Sequence, residues 1–323
     1  MASQRESVVR YYNETRWDYT HLWRSHRTLA MHFGYYADGV RTHRQAAQQM
    51  NARLAAHVGI TAADRVLDAG CGLGGSSLWL AANIGCSVTG VNITPFQIET
   101  ARHMARQRGL DARFLLADYA RSPFVDGAFT VFWGLESIVH AESKADLLGE
   151  AYRLLAPGGR VLVSEYVLRS APPLNPQERQ IVATWLDGWA MPSLLTDREY
   201  TGLLGQAGFV GVEIADWTPH VAPSLARIGR IARGVRPFVA PLQRAGLLTR
   251  VQRANADASH AQIQALRRGL WRYQIITATR PAGLSAPRPM FSHPSRQHLF
   301  CSSEHRIAGT SRRRLDRGGS YEP

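Results

Sequence analysis

A cluster of glycines behind a short apolar run is the feature of this sequence best suited to bind a ligand. The apolar run ends at Asp68, glycines stand at the alternate positions Gly70, Gly72 and Gly74, and a helical pattern begins at Ser76. Glycine permits positive φ angles and lets a ligand approach the backbone. The unpaired amides at a helix start can receive an anionic group. The stretch therefore predicts a strand, a tight turn and a helix N-terminus that together bind a nucleotide-like ligand.

The residues around these glycines narrow the choice of ligand. The string Val66-Leu-Asp-Ala-Gly-Cys-Gly-Leu-Gly-Gly75 resembles the first motif of class I S-adenosylmethionine-dependent methyltransferases, whereas an acid at this place is not part of the dinucleotide fingerprint. The string Leu155-Ala-Pro-Gly-Gly159 resembles the turn that precedes the fifth strand of the same family. The resemblance implies that S-adenosylmethionine is the cofactor and that no metal is needed. An NAD site and a purely structural turn are the alternatives.

The same resemblance assigns cofactor contacts to residues that follow the predicted strands, whose carboxyl ends meet at one edge of a parallel sheet. Asp118 is expected to accept a hydrogen bond from the adenine amino group, although it could instead cap a turn. Asn92 stands where the family usually has an acid for the ribose hydroxyls, and its amide carbonyl is a weaker acceptor. Gln97 is expected to assist, with an exposed helix start as the alternative. The predicted set is Asp68, Gly70, Gly72, Gly74, Asn92, Gln97, Asp118, Tyr119 and Trp133.

Two candidate bases follow the fourth predicted strand. The string Glu136-Ser-Ile-Val-His140 resembles the segment beside the acceptor in sterol and tocopherol C-methyltransferases. Methylation of an alkene carbon leaves a carbocation, which aromatic faces stabilise until a base removes a proton. Methylation of oxygen or nitrogen requires only the base. Glu136 and His140 are therefore the predicted catalytic residues, and a structural place at a helix start is the alternative for His140.

Aromatic residues and arginines are the candidates for binding the acceptor. The stretches Tyr11-Tyr-Asn13 and His32-Phe-Gly-Tyr-Tyr36 resemble the N-terminal segments of sterol, γ-tocopherol and prenyl-diphosphate C-methyltransferases. Four arginines spaced by three between Arg227 and Arg236 would form a stripe on a helix, and arginine forks match phosphate oxygens. Core packing of the aromatics and a solvated helix face are the alternatives. The predicted set is Tyr11, Tyr12, Phe33, Tyr35, Trp185, Trp189, Arg230 and Arg233.

Apolar strands alternate with amphipathic helices from residue 65 onward, which predicts an α/β fold with a parallel sheet covered on both faces. Together with the resemblance, this implies a doubly wound, mostly parallel, seven-stranded Rossmann-like sheet. Strands are expected at 65–69, 87–91, 112–116, 128–133, 159–167, 209–217 and 271–280. The expected regions are a helical cap (1–60), the cofactor-binding core (61–218), a helical insertion (219–270), the last strand (271–280) and a disordered tail (281–323).

The composition of the chain indicates which class of protein and which cellular compartment to expect. The 323 residues are 45% hydrophobic, enough for a large core. No run of about 18 apolar residues predicts a membrane span, and the N-terminus has no apolar signal region. The three cysteines are too few and too scattered for a disulfide framework or a metal site. These features favour a reduced cytoplasm, and a homodimer is one option for the assembly.

The net charge of +13 is concentrated at one end of the chain. Residues 1–218 hold 20 basic and 21 acidic side chains, whereas residues 219–323 hold 18 basic and 4 acidic ones. A basic region raises the alternative of an RNA methyltransferase, but no recognition motif accompanies it; a cofactor-binding protein without catalysis is another alternative. We predict a methyltransferase of a hydrophobic small molecule, first by C-methylation of a terpenoid or prenyl chain and second by methylation of a phenol or amine.

Overall fold

A seven-stranded sheet forms the centre of the computed structural model, which describes residues 3–283. The strand order is β3-β2-β1-β4-β5-β7-β6, and β7 runs antiparallel to both of its neighbours. The strands are β1 (Arg65–Ala69), β2 (Ser87–Asn92), β3 (Ala112–Leu116), β4 (Phe129–Leu135), β5 (Leu155–Leu168), β6 (Val210–Asp216) and β7 (Trp271–Thr279). The predicted doubly wound, mostly parallel sheet is confirmed.

Helices cover both faces of this sheet. The helices are α1 (Gln4–Glu14), α2 (Ser25–Thr28), α3 (His43–His57), α4 (Gly75–Asn83), α5 (Pro95–Arg108), α6 (Lys144–Leu154), α7 (Pro176–Gly188), α8 (Asp197–Ala207), α9 (Thr218–Arg244) and α10 (Arg250–Arg267). A π-helical segment spans Asp18–Leu22, and a 3-10 turn spans Ile138–His140. Residues 189–196 separate α7 from α8.

The alternation of side chains along β1 shows how the two faces are filled. Val66 packs in a core with residues of the N-terminal helices and the insertion, such as Leu54 and Leu225. The next residue, Leu67, packs in a separate core with Leu147 of α6. Successive strand side chains point to opposite faces, so a continuous apolar run in β1 fixes it in the middle of the sheet.

Capping boxes fix the starts of several helices. In each box a Ser, Thr or Asn side chain accepts from the backbone three residues on, and a Glu or Gln side chain reaches back. The helix-capping residues are Ser3, Thr42, Asn175, Thr196 and Thr249. Each cap contributes about 1 kcal/mol, so these helix starts follow from local sequence.

The insertion before β7 is a pair of helices, α9 and α10. The first residues of α9, including Val221 and Leu225, are buried, whereas most of its second half is exposed. Among residues 3–283, no helix is both long enough and apolar enough to cross a membrane. Residues 284–323, which make up most of the predicted tail, lie outside the described residues.

Candidate active site

A cavity of about 900 Å³ lies at the carboxyl edge of the sheet, and we call it the strand-end cleft. It is bounded by the turn after β1, the end of β2, the segment after β3 and the segment after β4. The structure brings together here seven of the nine residues predicted to bind the cofactor. They are Asp68, Gly70, Gly72, Asn92, Gln97, Asp118 and Tyr119.

The glycines of the first turn have different roles. Gly70 has a φ of +84°, and a Cβ at this position would lie 2.4 Å from the Cβ of Ser137. Gly72 has a φ of +54° and faces open space, with only the Met31 sulfur near its would-be Cβ, at 3.7 Å. Gly74 does not line the cleft; its would-be Cβ lies 2.9 Å from that of Ala101 on α5. Gly74 therefore serves helix packing rather than the predicted ligand contact.

Asp68 and Asp118 both line the cleft with part of each carboxylate already engaged. Ser77 Oγ donates to Asp68 Oδ2 at 2.6 Å, and burial raises the pKa of Asp68 to about 6. The Ala120 amide donates to Asp118 Oδ1 at 2.9 Å. Asp118 thus caps a turn, as the alternative interpretation had it, and at the same time lies on the cleft wall. Turn capping and ligand contact are compatible for this residue.

The end of β2 carries a pair of hydrogen-bonded amides. Asn92 Nδ2 donates to Gln97 Oε1 at 2.6 Å, and Asn92 Oδ1 accepts from the Ile93 amide at 2.8 Å. Gln97 Nε2 in turn lies 3.3 Å from the sulfur of Met31. Both amides are almost fully buried. The Asn that replaces the usual acid is therefore held in one orientation at the cleft wall.

The charge of the cleft suits a cationic ligand. Its lining includes five acids and two arginines, namely Asp68, Asp118, Glu136, Glu142, Asp146, Arg5 and Arg121. S-adenosylmethionine carries a sulfonium and an ammonium against one carboxylate, whereas a dinucleotide brings two phosphates that the acids would repel. The residues present therefore fit S-adenosylmethionine. In the part of the chain that the structure describes, no group of three or more His, Cys, Asp or Glu side chains is placed to hold a metal ion.

Glu136 directly follows β4 and combines an unusual backbone conformation with a carboxylate held by three donors. Its φ is +50°, a conformation that is uncommon outside glycine and that clusters at functional sites. The Phe33 amide and the Tyr273 hydroxyl both donate to Oε1 at 2.8 Å, and the Tyr166 hydroxyl donates to Oε2. Burial raises the pKa of Glu136 to about 7, although these three donors each oppose the rise. The carboxyl can therefore exchange a proton near neutral pH.

His140 is held in one neutral tautomer. Its Nδ1 lies 3.2 Å from the Ala190 carbonyl, which only accepts, so Nδ1 carries the proton. Its Nε2 then accepts from the Tyr12 hydroxyl at 3.0 Å. Burial lowers the pKa of His140 to about 4. At neutral pH the ring therefore orients Tyr12 and can take a proton only through that hydroxyl.

Sequence analysis did not identify the buried residues that contact Glu136 or lie next to those that do. Tyr166 and Tyr273 face each other across the antiparallel β5–β7 pair. Glu165, next to Tyr166, is fully buried and accepts from the Val139 amide at 3.0 Å and the Tyr166 amide at 3.1 Å. Burial, and then the nearby Glu136, raise the pKa of Glu165 to about 8. These residues lie on strands whose pairing register the sequence does not reveal.

Glu165 makes a testable contribution to the pH dependence of stability. Because its folded-state pKa lies above the ordinary 4.5, the native state keeps a proton that the unfolded chain has already lost. The carboxyl therefore weakens the fold as pH rises through this window, and its full cost applies above about pH 8. We therefore expect Glu165→Gln to favour the folded state more at pH 8.5 than at pH 5. The difference in its effect on the unfolding free energy should be about 2–4 kcal/mol.

Urea denaturation at the two pH values measures this difference. Glu150→Gln is the control, because the ion pair with Arg153 at 2.7 Å lowers the pKa of Glu150 below its ordinary value. Glu150 is then largely ionised in both the folded and the unfolded chain from pH 5 upward, so its substitution should destabilise the fold by about the same amount at the two pH values. A pH-independent effect of Glu165→Gln would mean that Glu165 titrates as an ordinary carboxyl.

A second cavity of about 380 Å³ adjoins the strand-end cleft, and we call it the apolar cavity. Four residues line both spaces: Tyr12, Met31, Glu136 and His140. We call this place the junction. Aromatic side chains make up much of the remaining wall, namely Tyr11, Trp17, Tyr19, Trp23, Phe33, Tyr166 and Trp189. A cationic group that reaches the junction from the cleft would thus meet an apolar ligand beside a buried carboxylate.

Several predicted site residues do not reach either cavity. Tyr35 stacks on His220, with ring centroids 4.1 Å apart. Trp185 is fully buried and packs on Trp271 at 5.2 Å. Trp133 is likewise fully buried in the core. For these three aromatics the structure shows core packing, which was the alternative interpretation. Of the predicted aromatics, Tyr11, Tyr12, Phe33 and Trp189 do line the apolar cavity.

The predicted arginine stripe points away from the apolar cavity. Arg230 and Arg233 are exposed, and neither lines a cavity described here. The α9 side chains that do line the apolar cavity are Ile228, Ile231, Ala232, Val235, Phe238, Val239 and Leu242. At 100° per residue these lie on the opposite face of the helix from the two arginines. The structure thus places both arginines on the solvent-facing side of α9, as the solvated-face alternative expects, and not among the residues that line the apolar cavity.

Comparisons with known proteins agree with this geometry. A family profile described as "Methyltransferase domain" matches residues 66–159. The chain is 28% identical to tocopherol O-methyltransferase of Arabidopsis thaliana, covering 86% of this chain and 82% of the relative. It is 31% identical to Methyltransferase GfsG of Streptomyces halstedii, covering 63% and 74%. A solved geranyl diphosphate methyltransferase with bound sinefungin superposes with a TM-score of 0.68 at 22% identity, covering 86% of this chain and all of the other.

A sheet of this order, with a glycine turn opening on a cleft that suits a cation, defines a methyltransferase of the α/β type. The identity of 31% to the Streptomyces halstedii relative, over 74% of that protein's length, establishes the family. The chain belongs to the class I S-adenosylmethionine-dependent methyltransferases. It is an enzyme, and its cofactor is S-adenosylmethionine.

Proposed function

We propose that the protein methylates an alkene carbon of a neutral, hydrophobic terpenoid or prenyl chain. The observation that carries this proposal is the junction, where the buried carboxylate of Glu136 adjoins a cavity walled by aromatic and aliphatic side chains. An alkene acceptor needs both an apolar cavity and a base that is partly ionised at neutral pH.

In this proposal the regions predicted from the sequence bind different ligands. Residues 61–218, completed by the last strand (271–280), hold the cofactor. The cap (1–60) and the insertion (219–270) enclose the acceptor. The proposed cofactor contacts are the cleft residues of the first turn together with Asn92, Gln97 and Asp118. In support, these residues share one cleft, and the cap and insertion supply most of the apolar cavity wall.

The chemistry places distinct demands on the residues at the junction. S-adenosylmethionine supplies a methyl group that leaves its sulfur without the bonding electron pair. The alkene π electrons form the new carbon–carbon bond, which leaves a positive charge on the neighbouring acceptor carbon. The ring faces of Phe33 and Trp189 stabilise this charge. Glu136 then takes a proton from an adjacent carbon, and the electrons of that C–H bond form a new double bond.

The side chains that line the apolar cavity favour an uncharged acceptor. They include neither lysine nor arginine, and His140 stays neutral because burial lowers its pKa to about 4. A diphosphate placed there would lie close to Asp18 and Glu136 without a compensating cation. Relatives that act on tocopherols and on geranyl diphosphate both exist, and this lining favours the neutral type.

An experiment with methyl-labelled S-adenosylmethionine tests the proposal. We expect label on carbon with neutral prenyl alcohols or hydrocarbons, and at least about tenfold lower kcat/KM with the corresponding diphosphates. The Arg230→Ala and Arg233→Ala exchange should leave both values unchanged within about twofold, because neither side chain reaches the cavity. Preference for the diphosphate, together with a raised KM in the arginine variant, would contradict the neutral acceptor.

Methylation of a phenol or amine is the second candidate. The observation in its favour is the Tyr12–His140 hydrogen bond at the junction, which offers a second route for a proton released by an acceptor hydroxyl. Tocopherol O-methyltransferase is a relative that fits this candidate. In the labelling experiment, label on oxygen, nitrogen or an aromatic ring of an added phenol or amine would favour it over alkene methylation.

A cytoplasmic location and a homodimeric assembly complete the proposal. The two described cysteines, Cys71 and Cys86, are buried free thiols, and burial raises the pKa of each, as suits a reducing compartment. Fractionation of the source cells tests the location, and sedimentation velocity on the purified chain tests the assembly.

A further inference from the structure

The turn between α9 and α10 exposes large apolar side chains. We call residues 236–250, the end of α9, the loop and the first residue of α10, the hairpin tip. Within it Phe238 is 62% exposed, Leu242 37% and Leu247 69%. Single exposed apolar residues are ordinary on a protein surface, but three large ones within one turn between helices indicate a binding surface.

This exposed cluster surrounds the opening of the apolar cavity. Phe238 and Leu242 line the cavity and face solvent at the same time. Trp17, from the N-terminal cap, also lines the cavity and is 55% exposed. Residues that are both lining and exposed mark the mouth of a cavity. A hydrophobic acceptor that enters here must therefore pass over the hairpin tip.

The hairpin tip is also strongly basic. Residues 218–256 hold seven arginines and no acid. Arg236, Arg244 and Arg250 are exposed, and none of them forms an ion pair among residues 3–283. Apolar side chains on one side of a helix and arginines on the other are typical of segments that lie in a membrane interface.

We propose that the hairpin tip binds the surface of an anionic phospholipid bilayer. Phe238, Leu242 and Leu247 enter the region between headgroups and acyl chains, while the arginines extend to the lipid phosphates. The mouth of the apolar cavity then opens on the lipid phase, so the acceptor is taken from the bilayer and never crosses water. The acceptor route depends on the proposed function, whereas the lipid binding does not.

Two other occupants of this surface fit the observations less well. A second copy of the chain would bring two arginine-rich tips together, and their like charges would repel. A nucleic acid would pair with the arginines but would leave the three apolar side chains without a partner. An anionic bilayer satisfies the charged and the apolar groups at once.

Co-sedimentation of the full chain with vesicles, without cofactor or acceptor, tests this proposal. We expect binding to vesicles of equal parts phosphatidylglycerol and phosphatidylcholine, little binding to phosphatidylcholine alone, and loss of binding in about 0.5 M NaCl. The variant Arg236→Gln, Arg244→Gln, Leu247→Ser should bind at least roughly 30-fold more weakly, because each of the two arginines contributes about fivefold to the affinity for an anionic surface. None of these three residues lines a cavity.

A variant with the same chemical changes elsewhere is the control. Arg41, Arg106 and Val125 are exposed and lie outside the hairpin tip, so Arg41→Gln, Arg106→Gln, Val125→Ser should bind vesicles like the parent chain. Both variants should keep the parent circular dichroism and S-adenosylmethionine affinity. Equal loss in both variants, or no binding to anionic vesicles, would overturn the proposal. So would RNA binding of equal strength, or a dimer that the Leu247→Ser change dissolves.

Discussion

Replacing Glu136 by glutamine is expected to lower kcat/KM by about 10²- to 10⁴-fold, the usual contribution of a positioned base. Glutamine keeps the size of the side chain and can still accept from the Phe33 amide, which donates to Oε1 in the native protein. The affinity for S-adenosylmethionine should therefore change by no more than about twofold. Steady-state kinetics with the labelled acceptor assay, and calorimetric cofactor binding, measure the two quantities.

The pH profile distinguishes a proton acceptor from a residue that only fills space. Since the pKa of Glu136 is raised to about 7, kcat/KM should rise with pH, reach half its maximum near pH 7 and level off above it. The Tyr273 hydroxyl lowers that pKa through its hydrogen bond, so Tyr273→Phe should move the midpoint to higher pH. Glu213→Gln, on exposed β6 surface, is the control and should keep both rate and midpoint. A flat profile, or an active Glu136→Gln enzyme, would remove Glu136 from the reaction.

The cofactor half of the molecule could be predicted because its signals are local. A strand, a glycine turn and a helix start follow each other directly in the chain, and β1 begins and ends at the residues expected from the apolar run. Strand ends then gather at one edge by topology alone, which brought Asp68, Asn92 and Asp118 into one cleft. Gly74 was the exception, since its contact is with Ala101 on a helix further along the chain.

The acceptor half depends on contacts that no short stretch of sequence contains. Tyr166 and Tyr273 hold Glu136 only because β5 and β7 pair antiparallel in one register. Trp185 and Trp189 belong to the same region at the end of α7, yet only the second lines the apolar cavity. On α9 the spacing of the arginines was clear, but the face they occupy follows from which apolar side chains pack inward. Residue type and spacing therefore indicated the kind of chemistry, and tertiary packing decided which residues perform it.

A bulky side chain at Gly72 is expected to abolish binding of S-adenosylmethionine. Gly72 lines the strand-end cleft, and only the Met31 sulfur lies near its would-be Cβ, so the leucine of Gly72→Leu would extend into space that the cofactor needs. The φ of +54° at this position adds backbone strain of about 1–2 kcal/mol. Calorimetry should show an affinity loss of at least about 100-fold, and Gly72→Arg should behave in the same way.

The strain can be separated from the obstruction with a second glycine. Gly85 has a φ of +77°, nothing lies within 4 Å of its would-be Cβ, and it does not line a described cavity. Gly85→Leu should therefore lose a similar amount of stability in thermal unfolding while it binds S-adenosylmethionine with the parent affinity. If both variants lost the cofactor equally, strain alone would explain the effect. If Gly72→Leu still bound S-adenosylmethionine tightly, the cofactor could not lie against the turn after β1. The assignment of Asp68, Asn92 and Asp118 as its contacts would then also be wrong.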